Sequence, residues 1–159
     1  LAAWRAIGGE ETSARSVPSP VAAYPARFEA RHFVSADEVA ERLDEDTGWL
    51  LDARAAERFR GEVEPIDPVA GHVPGAVNLP FVQTLRDGRF KPAAELHALL
   101  SDRLGDRHPS DSVLMCGSGV TACHLLLAFE HAGLHGARIY PGSWSGWISD
   151  PARPVARGD

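Results

Sequence analysis

Short apolar runs alternate with segments of helical periodicity along most of this 159-residue chain. The runs lie at residues 49–53, 76–79, 112–115 and 137–140. Their length and composition suit strands that are buried on both faces of a sheet. Because consecutive strands are separated by helices, they are expected to run parallel. The sequence therefore predicts an α/β fold with helices on both faces of the sheet.

Residues that begin and end helices support this division. Ser35 is followed three positions later by Glu38, which is a capping-box arrangement. Leucines recur on one face of residues 92–104 and predict an amphipathic helix there. A third, largely apolar helix is expected over residues 121–132, with Gly133 at its carboxyl end.

The third strand leads directly into a glycine-rich loop. The loop reads Cys116-Gly117-Ser118-Gly119-Val120-Thr121. Ligands of open parallel sheets bind at the carboxyl ends of strands. A loop that curls there onto a helix N-terminus directs several backbone N–H groups at one point and favours an anion, including a cysteine thiolate. The two glycines are expected to permit the curl, and the two hydroxyls can donate hydrogen bonds to a bound anion.

The plain alternative is a buried cysteine beside a turn. The joint occurrence of strand, glycines, hydroxyls and apolar helix favours a nucleophile instead. Further motifs follow the same order along the chain: Asp52-Ala53-Arg54, Arg58-Phe59-Arg60-Gly61, residues 71–78 and residues 140–147. With residues 116–124, they resemble the catalytic C-terminal domain of the rhodanese-like sulfurtransferases, mercaptopyruvate branch. The resemblance begins near residue 33 and implies a rhodanese-like domain with a mostly parallel five-stranded sheet.

Residues 1–30 differ in composition from the rest of the chain. Residues 1–6 are helix-prone and end at two glycines, and residues 10–25 are rich in Ser, Pro, Ala and Thr, which is typical of a linker. The resemblance implies two rhodanese domains in tandem, of which the second bears the cysteine. We therefore expect residues 1–30 to be the tail of a preceding rhodanese domain plus a linker, and residues 31–159 to be the catalytic domain. The missing N-terminal domain would supply part of the pocket wall, while the alternative is a frayed N-terminus.

The resemblance also implies a sulfurtransferase that needs no cofactor. Cys116 would take sulfur from a small donor as a persulfide and pass it to a thiol acceptor, such as a thioredoxin-like protein or a small thiol, or to cyanide. The implied substrate-binding residues are Arg58, Gly117, Ser118, Gly119, Val120 and Thr121. Arg58 occupies the position of an arginine that grips the donor's anionic end, and its alternative is a surface pair with Glu57 or Glu62.

The loop carries neither lysine nor arginine. Thiosulfate-type rhodaneses are usually basic at the positions of Gly117 and Ser118, so the neutral loop favours 3-mercaptopyruvate as the donor. Thiosulfate, through the same persulfide, is the alternative. Residues 64–67 also lack the second arginine of some family members, which leaves the identity of the donor open.

Other functions fit the sequence less well. A formal net charge of −6 offers no electrostatic footprint for nucleic acid or an anionic membrane. Two cysteines are too few for a disulfide framework, so reduced thiols in a cytoplasmic protein are expected. Cys-dependent phosphatases require an arginine six positions after the cysteine, where this chain has Ala122. The intact cysteine loop also disfavours a rhodanese-like module that only binds.

Several conspicuous residues are expected to be structural. These are Asp52, which is expected to fix a strand end rather than act as a base, and His72, which is expected to be a hydrogen-bonding residue. Trp144 and Trp147 are expected to cap the core, with a place at the rim of the pocket as the alternative. Cys123, His124, His131 and His135 are metal-ligand types, but adjacent residues of a helix diverge by about 100°, so no metal site is expected.

Overall fold

A computed structural model describes residues 1–15, 17, 23, 25 and 29–159. Part of the predicted linker, including Pro18 and Pro20, lies outside these residues. Within the described part of the chain, every helix is too short or too polar to cross a lipid bilayer.

The described residues form six α-helices and six strands. The helices are α1 (Ala2–Ala6), α2 (Ala36–Glu41), α3 (Ala56–Phe59), α4 (Ala93–Leu104), α5 (Val120–His131) and α6 (Ser143–Trp147). The strands are β1 (Leu50–Asp52), β2 (Val77–Asn78), β3 (Leu85–Arg86), β4 (Arg89–Phe90), β5 (Val113–Met115) and β6 (Arg138–Ile139). The four predicted strands correspond to β1, β2, β5 and β6, and each is shorter than its apolar run.

The main sheet is parallel and has the strand order β2-β1-β5-β6. It has four strands in the described chain rather than the expected five. Phe33 forms a single parallel bridge to Ile139 at the β6 edge, where a fifth strand would lie. That segment cannot extend into a strand because Ser35 already caps α2, so the pairing stops after Val34.

The capping box predicted at the start of α2 is confirmed. Ser35 Oγ accepts a hydrogen bond from the Glu38 N–H at 3.2 Å, and the Glu38 carboxylate accepts one from the Ser35 N–H at 2.7 Å. The helix that follows buries Val39 and ends at Glu41. Leu43 therefore lies beyond the helix, although it still packs partly against the core.

Helices cover both faces of the sheet, as predicted. Successive residues of a strand point to opposite faces. Leu51 of β1 accordingly packs with the buried leucines of α4 and α5, whereas Leu50 packs with Trp144 and Trp147 on the other face. All residues of β1 and β5 are buried, because these strands occupy the centre of the sheet.

The central strands end at the same edge of the sheet. Asp52 of β1 is paired in register with Met115 of β5, the residue before Cys116. The chain that leaves β1 toward α3 and the cysteine loop that leaves β5 are therefore neighbours. This edge is where the predicted site residues meet.

Candidate active site

Cys116 lies between the end of β5 and the start of α5, and only 2% of its surface is exposed. Its N–H donates to Ser143 Oγ at 3.1 Å, and its carbonyl accepts from the Trp144 N–H at 2.9 Å. Both partners belong to α6. Helix α6 thus holds the backbone of Cys116 through both the N–H and the carbonyl of this residue.

The loop turns into α5 through Gly119, whose φ is +84°. A side chain at this position would also bring Cβ within 2.8 Å of the Pro141 carbonyl oxygen, so the position requires glycine. Gly117 was expected to need unusual angles as well, but its φ is not positive. Of the two glycines, only Gly119 uses the conformational freedom that glycine offers.

The first backbone hydrogen bond of α5 runs from the Cys123 N–H to the Gly119 carbonyl, at 3.2 Å. The N–H groups of the first turn precede this bond and have no acceptor within the helix. Together with the helix dipole, they provide the positive potential that an anion at the loop needs. The geometry is therefore that of a buried cysteine beside a helix N-terminus, where the electrostatic potential favours an anion.

The outer part of the loop faces solvent. Ser118 and Val120 are exposed, and Thr121 is half-buried. Ser118 and Val120 border a depression of about 260 Å³ that is also lined by Phe33, Cys123 and Pro141. This depression therefore borders the outer residues of the loop.

Arg58, from α3, lies directly over the loop. Its Nη1 and Nη2 atoms are 3.5 Å from the point that a Gly117 Cβ would occupy. The structure therefore brings Arg58 and the cysteine loop together, as the sequence predicted.

The partners of Arg58 differ from those expected. Its Nη2 atom is 2.7 Å from Glu64 Oε1 and 3.4 Å from Asp67 Oδ2. The expected alternative, a surface pair with Glu57 or Glu62, is wrong, and Glu62 instead pairs with Arg60 at 2.7 Å. The loop after α3 curls back under the guanidinium, so acids six and nine residues away reach it.

Glu64 is a buried acceptor that organises this loop. Its carboxylate accepts the backbone N–H groups of Ile66 and Asp67 at 3.1 and 3.2 Å, in addition to the bonds from Arg58. Burial acts to raise the pKa of Glu64, but the hydrogen bonds from Arg58 and from the two N–H groups outweigh it and hold the pKa below its usual value. The carboxylate is therefore ionised at neutral pH.

Asp67 links Arg58 to the cysteine loop through Ser145. Ser145 Oγ lies 2.8 Å from Asp67 Oδ1 and 2.9 Å from the Gly117 carbonyl oxygen. The Ser145 N–H also donates to the Gly117 carbonyl at 2.9 Å. A carboxylate is thus connected to the residue that follows Cys116.

Four residues around the loop were not predicted as parts of the site: Glu64, Asp67, Ser143 and Ser145. The motif at residues 140–147 is recognisable in the sequence, but nothing in it distinguishes its serines from ordinary surface serines. Residues 64–67 contain two acids, and acids in a loop after a helix most often face solvent.

The residues expected to be structural are confirmed in that role. Asp52 is fully buried and accepts hydrogen bonds from the backbone and guanidinium of Arg54, the shortest at 2.6 Å. His72 Nδ1 donates to the Phe59 carbonyl at 2.8 Å, and its ring stacks on that of Phe59. Trp144 and Trp147 are fully buried.

The residues of metal-ligand type do not assemble in the described part of the chain, where no three His, Cys, Asp or Glu side chains could share an ion. Cys123 is an exposed free thiol. His124 Nε2 lies 2.9 Å from Thr84 Oγ1, and burial lowers the pKa of this histidine.

Known proteins are similar to this chain in sequence. The protein-family model described as "Rhodanese-like domain" matches residues 35–150. A Pseudomonas aeruginosa protein, provisionally named a 3-mercaptopyruvate sulfurtransferase, is 49% identical over 160 residues, which cover 100% of this chain and 56% of the relative. A Mycobacterium tuberculosis protein, provisionally named a thiosulfate sulfurtransferase, is 53% identical over 110 residues, which cover 69% of this chain and 38% of the relative.

A solved structure is similar in fold. The 3-mercaptopyruvate sulfurtransferase from Leishmania major superposes with a TM-score of 0.71 at 32% identity, covering 94% of this chain and 43% of that one. The chain spans about half the length of the curated relatives that it matches.

Proposed function

This chain belongs to the rhodanese-like family, and we propose that it transfers sulfur from 3-mercaptopyruvate through a persulfide on Cys116. The observation that carries the proposal is the position of Cys116, between the carboxyl end of a central parallel strand and the N-terminus of α5. The sulfurtransferase names of the relatives support it. The absence of lysine and arginine from residues 116–121 supports 3-mercaptopyruvate as the donor.

In the first half-reaction, the Cys116 thiolate attacks the sulfur of 3-mercaptopyruvate. A sulfur–sulfur bond forms, the carbon–sulfur bond breaks, and its electron pair leaves with the enolate of pyruvate, which then takes up a proton. In the second half-reaction, an acceptor thiolate attacks the outer sulfur, which restores the Cys116 thiolate and yields a persulfide on the acceptor. Cyanide as the acceptor would yield thiocyanate.

The loop supplies the electrostatic part of this chemistry. N–H groups at the start of α5 stabilise the thiolate and the persulfide anion, and one well-placed donor of this kind contributes about 3–4 kcal/mol to a transition state. Gly117, Ser118, Gly119, Val120 and Thr121 form the donor-binding loop. The Arg58 guanidinium over Gly117 is positioned to attract the donor's carboxylate.

We further propose that residues 31–159 are the catalytic domain of a longer protein. Residues 1–30 would then be the tail of a preceding rhodanese domain and a linker. The greater length of the relatives supports this division. The preceding domain would complete the wall of the donor pocket, and a thioredoxin-like protein or a small thiol would be the acceptor. Two free cysteines are consistent with a cytoplasmic location.

Thiosulfate is the second candidate donor. The Mycobacterium tuberculosis relative carries that name, and the arginine over the loop could attract a sulfonate as well as a carboxylate. The two donors give the same Cys116 persulfide, so kinetics with each donor separate them.

Intact-mass measurement tests the persulfide directly. The protein is incubated with 3-mercaptopyruvate or thiosulfate, and we expect a gain of one sulfur atom that Cys116→Ser abolishes. Cys123→Ser is the matched control, because Cys123 is an exposed thiol on α5, the helix that follows the loop of Cys116, and it should retain the adduct. Failure of both donors to add sulfur, or an adduct that depends on Cys123, would refute the proposal.

A further inference from the structure

The guanidinium over the cysteine loop is surrounded by carboxylates. Arg58, Glu64 and Asp67 have side chains that are only 17%, 3% and 9% exposed, respectively. Charges buried to this extent are screened much less by water and salt than those of surface ion pairs. The electrostatic effect of these acids therefore extends to a donor bound at Gly117.

The cluster continues inward to the end of β1. Arg54 Nη2 lies 2.6 Å from Asp52 Oδ2, and Arg54 Nη1 lies 3.5 Å from Glu64 Oε2. The complete cluster contains two guanidinium groups and three carboxylates: Asp52, Arg54, Arg58, Glu64 and Asp67. It thus carries one net negative charge although an arginine faces the site. A donor at the loop meets an arginine whose attraction is largely offset.

The two acids beside Arg58 differ in how they are held. Glu64 accepts two backbone N–H groups of its own loop, so its charge also has a structural role. Asp67 makes the longer contact with Arg58, and its other oxygen bonds to Ser145, which in turn contacts the Gly117 carbonyl. Asp67 is therefore the carboxylate whose charge adjoins the donor loop most directly.

We propose that Asp67 is a specificity-determining residue that favours singly charged sulfur donors over doubly charged ones. The inference rests on the proposed sulfurtransferase function. The carboxylate of 3-mercaptopyruvate carries one negative charge, and thiosulfate carries two. Because Coulomb energy scales with the charge of the donor, the field of Asp67 disfavours thiosulfate by one additional unit of charge. The neutral loop and the acidic cluster then both favour 3-mercaptopyruvate over thiosulfate as the donor.

Donor kinetics of Asp67→Asn test this role. The variant removes the charge and keeps an oxygen that can accept from Ser145. We expect the ratio of kcat/KM for thiosulfate to kcat/KM for 3-mercaptopyruvate to rise by about three- to ten-fold, the size expected for one charge at partly buried distances. Asp67→Glu keeps the charge and should keep the ratio close to that of the unmodified protein.

Glu62→Gln is the matched control, because Glu62 belongs to the same loop but forms an exposed pair with Arg60. Removing this charge should leave the donor ratio unchanged. If Asp67→Asn does not fold, Asp67→Ser removes the same charge with a smaller side chain and provides the same comparison. An unchanged ratio in a folded variant that uses both donors would overturn the inference alone. A protein that takes sulfur from neither donor would overturn the proposed function and the inference with it.

Discussion

Ser143 shows how one residue outside the loop can hold the nucleophile in place. Its φ of +51° is unfavourable for a residue with a side chain, and the residue is fully buried. In this conformation Oγ accepts the Cys116 N–H and donates to the Tyr140 carbonyl at 3.0 Å. The strained backbone of Ser143 thus occurs where its hydroxyl makes two hydrogen bonds, one of them to the N–H of Cys116.

Ser143→Ala should therefore destabilise the protein and slow persulfide formation. The substitution leaves a buried N–H and a buried carbonyl unpaired, which costs about 1–3 kcal/mol in the free energy of unfolding. Ser112→Ala is the matched control, because Ser112 is equally buried beside β5 and its Oγ has no hydrogen-bond partner among the described residues. Urea unfolding of the two variants measures the difference. Equal losses of stability would contradict the role assigned to the Ser143 hydroxyl.

At the scale of elements, helix α5 has a glycine with a positive φ next to each end. Gly119 precedes the helix with φ +84°, and Gly133 follows it with φ +75°. A Cβ at Gly119 would lie 2.8 Å from the Pro141 carbonyl oxygen, whereas a Cβ at Gly133 would meet nothing within 4 Å. The two positions share a positive φ and differ in the steric contact that a Cβ would make.

The two alanine substitutions separate these effects. Gly133→Ala should cost about 1 kcal/mol, because alanine disfavours a positive φ. Gly119→Ala should cost about 1–3 kcal/mol more, because the clash with Pro141 must also be relieved. It should also displace the start of α5 and reduce persulfide formation, which Gly133→Ala should not affect. Similar losses of stability and activity in the two variants would show that the contact with Pro141 is unimportant.

The sequence predicted those elements whose signals are local. The capping box at Ser35 and the fully apolar strands β1 and β5 follow from neighbouring residues alone. The β3–β4 hairpin was missed although Asp87-Gly88 between its strands is a typical turn signal, with φ of +52° and +73°. Its strands are only two residues long, too short for a visible alternation of apolar and polar residues.

The candidate site was predictable where it follows the chain and not where it depends on the path of a loop. Cys116 and its loop are contiguous in sequence, so the sequence alone predicts that they form a site. The contacts of Arg58 with Glu64 and Asp67, and of Asp67 with Ser145, depend on how residues 61–71 curl across the carboxyl edge of the sheet. No periodicity or capping signal encodes that path.

At the scale of the whole molecule, the buried charge cluster connects the central sheet to the site. It includes Asp52 at the end of β1, Arg58 on α3 and Glu64 in the loop that follows. Glu64→Gln removes the charged acceptor of the hydrogen bonds from Arg58 and from two backbone N–H groups, so it should cost about 1.5–3 kcal/mol in the free energy of unfolding at neutral pH. Arg58 keeps Asp67 as a partner in this variant. Stability and donor binding therefore depend on the same few charges.

The pH dependence of unfolding tests the contribution of Glu64. Because the folded-state pKa of Glu64 lies below the reference value of 4.5, its stabilisation is fully present above about pH 4.5 and is lost as the pH falls through the folded-state pKa. The difference in unfolding free energy between the unmodified protein and Glu64→Gln should accordingly narrow as the pH falls below about 4.5. Glu95→Gln, which removes a carboxylate from an exposed pair with Arg86, should show a small difference that changes little over this range. Chemical unfolding at several pH values measures both differences, and a constant gap for Glu64→Gln would mean that the ionised carboxylate does not stabilise the fold.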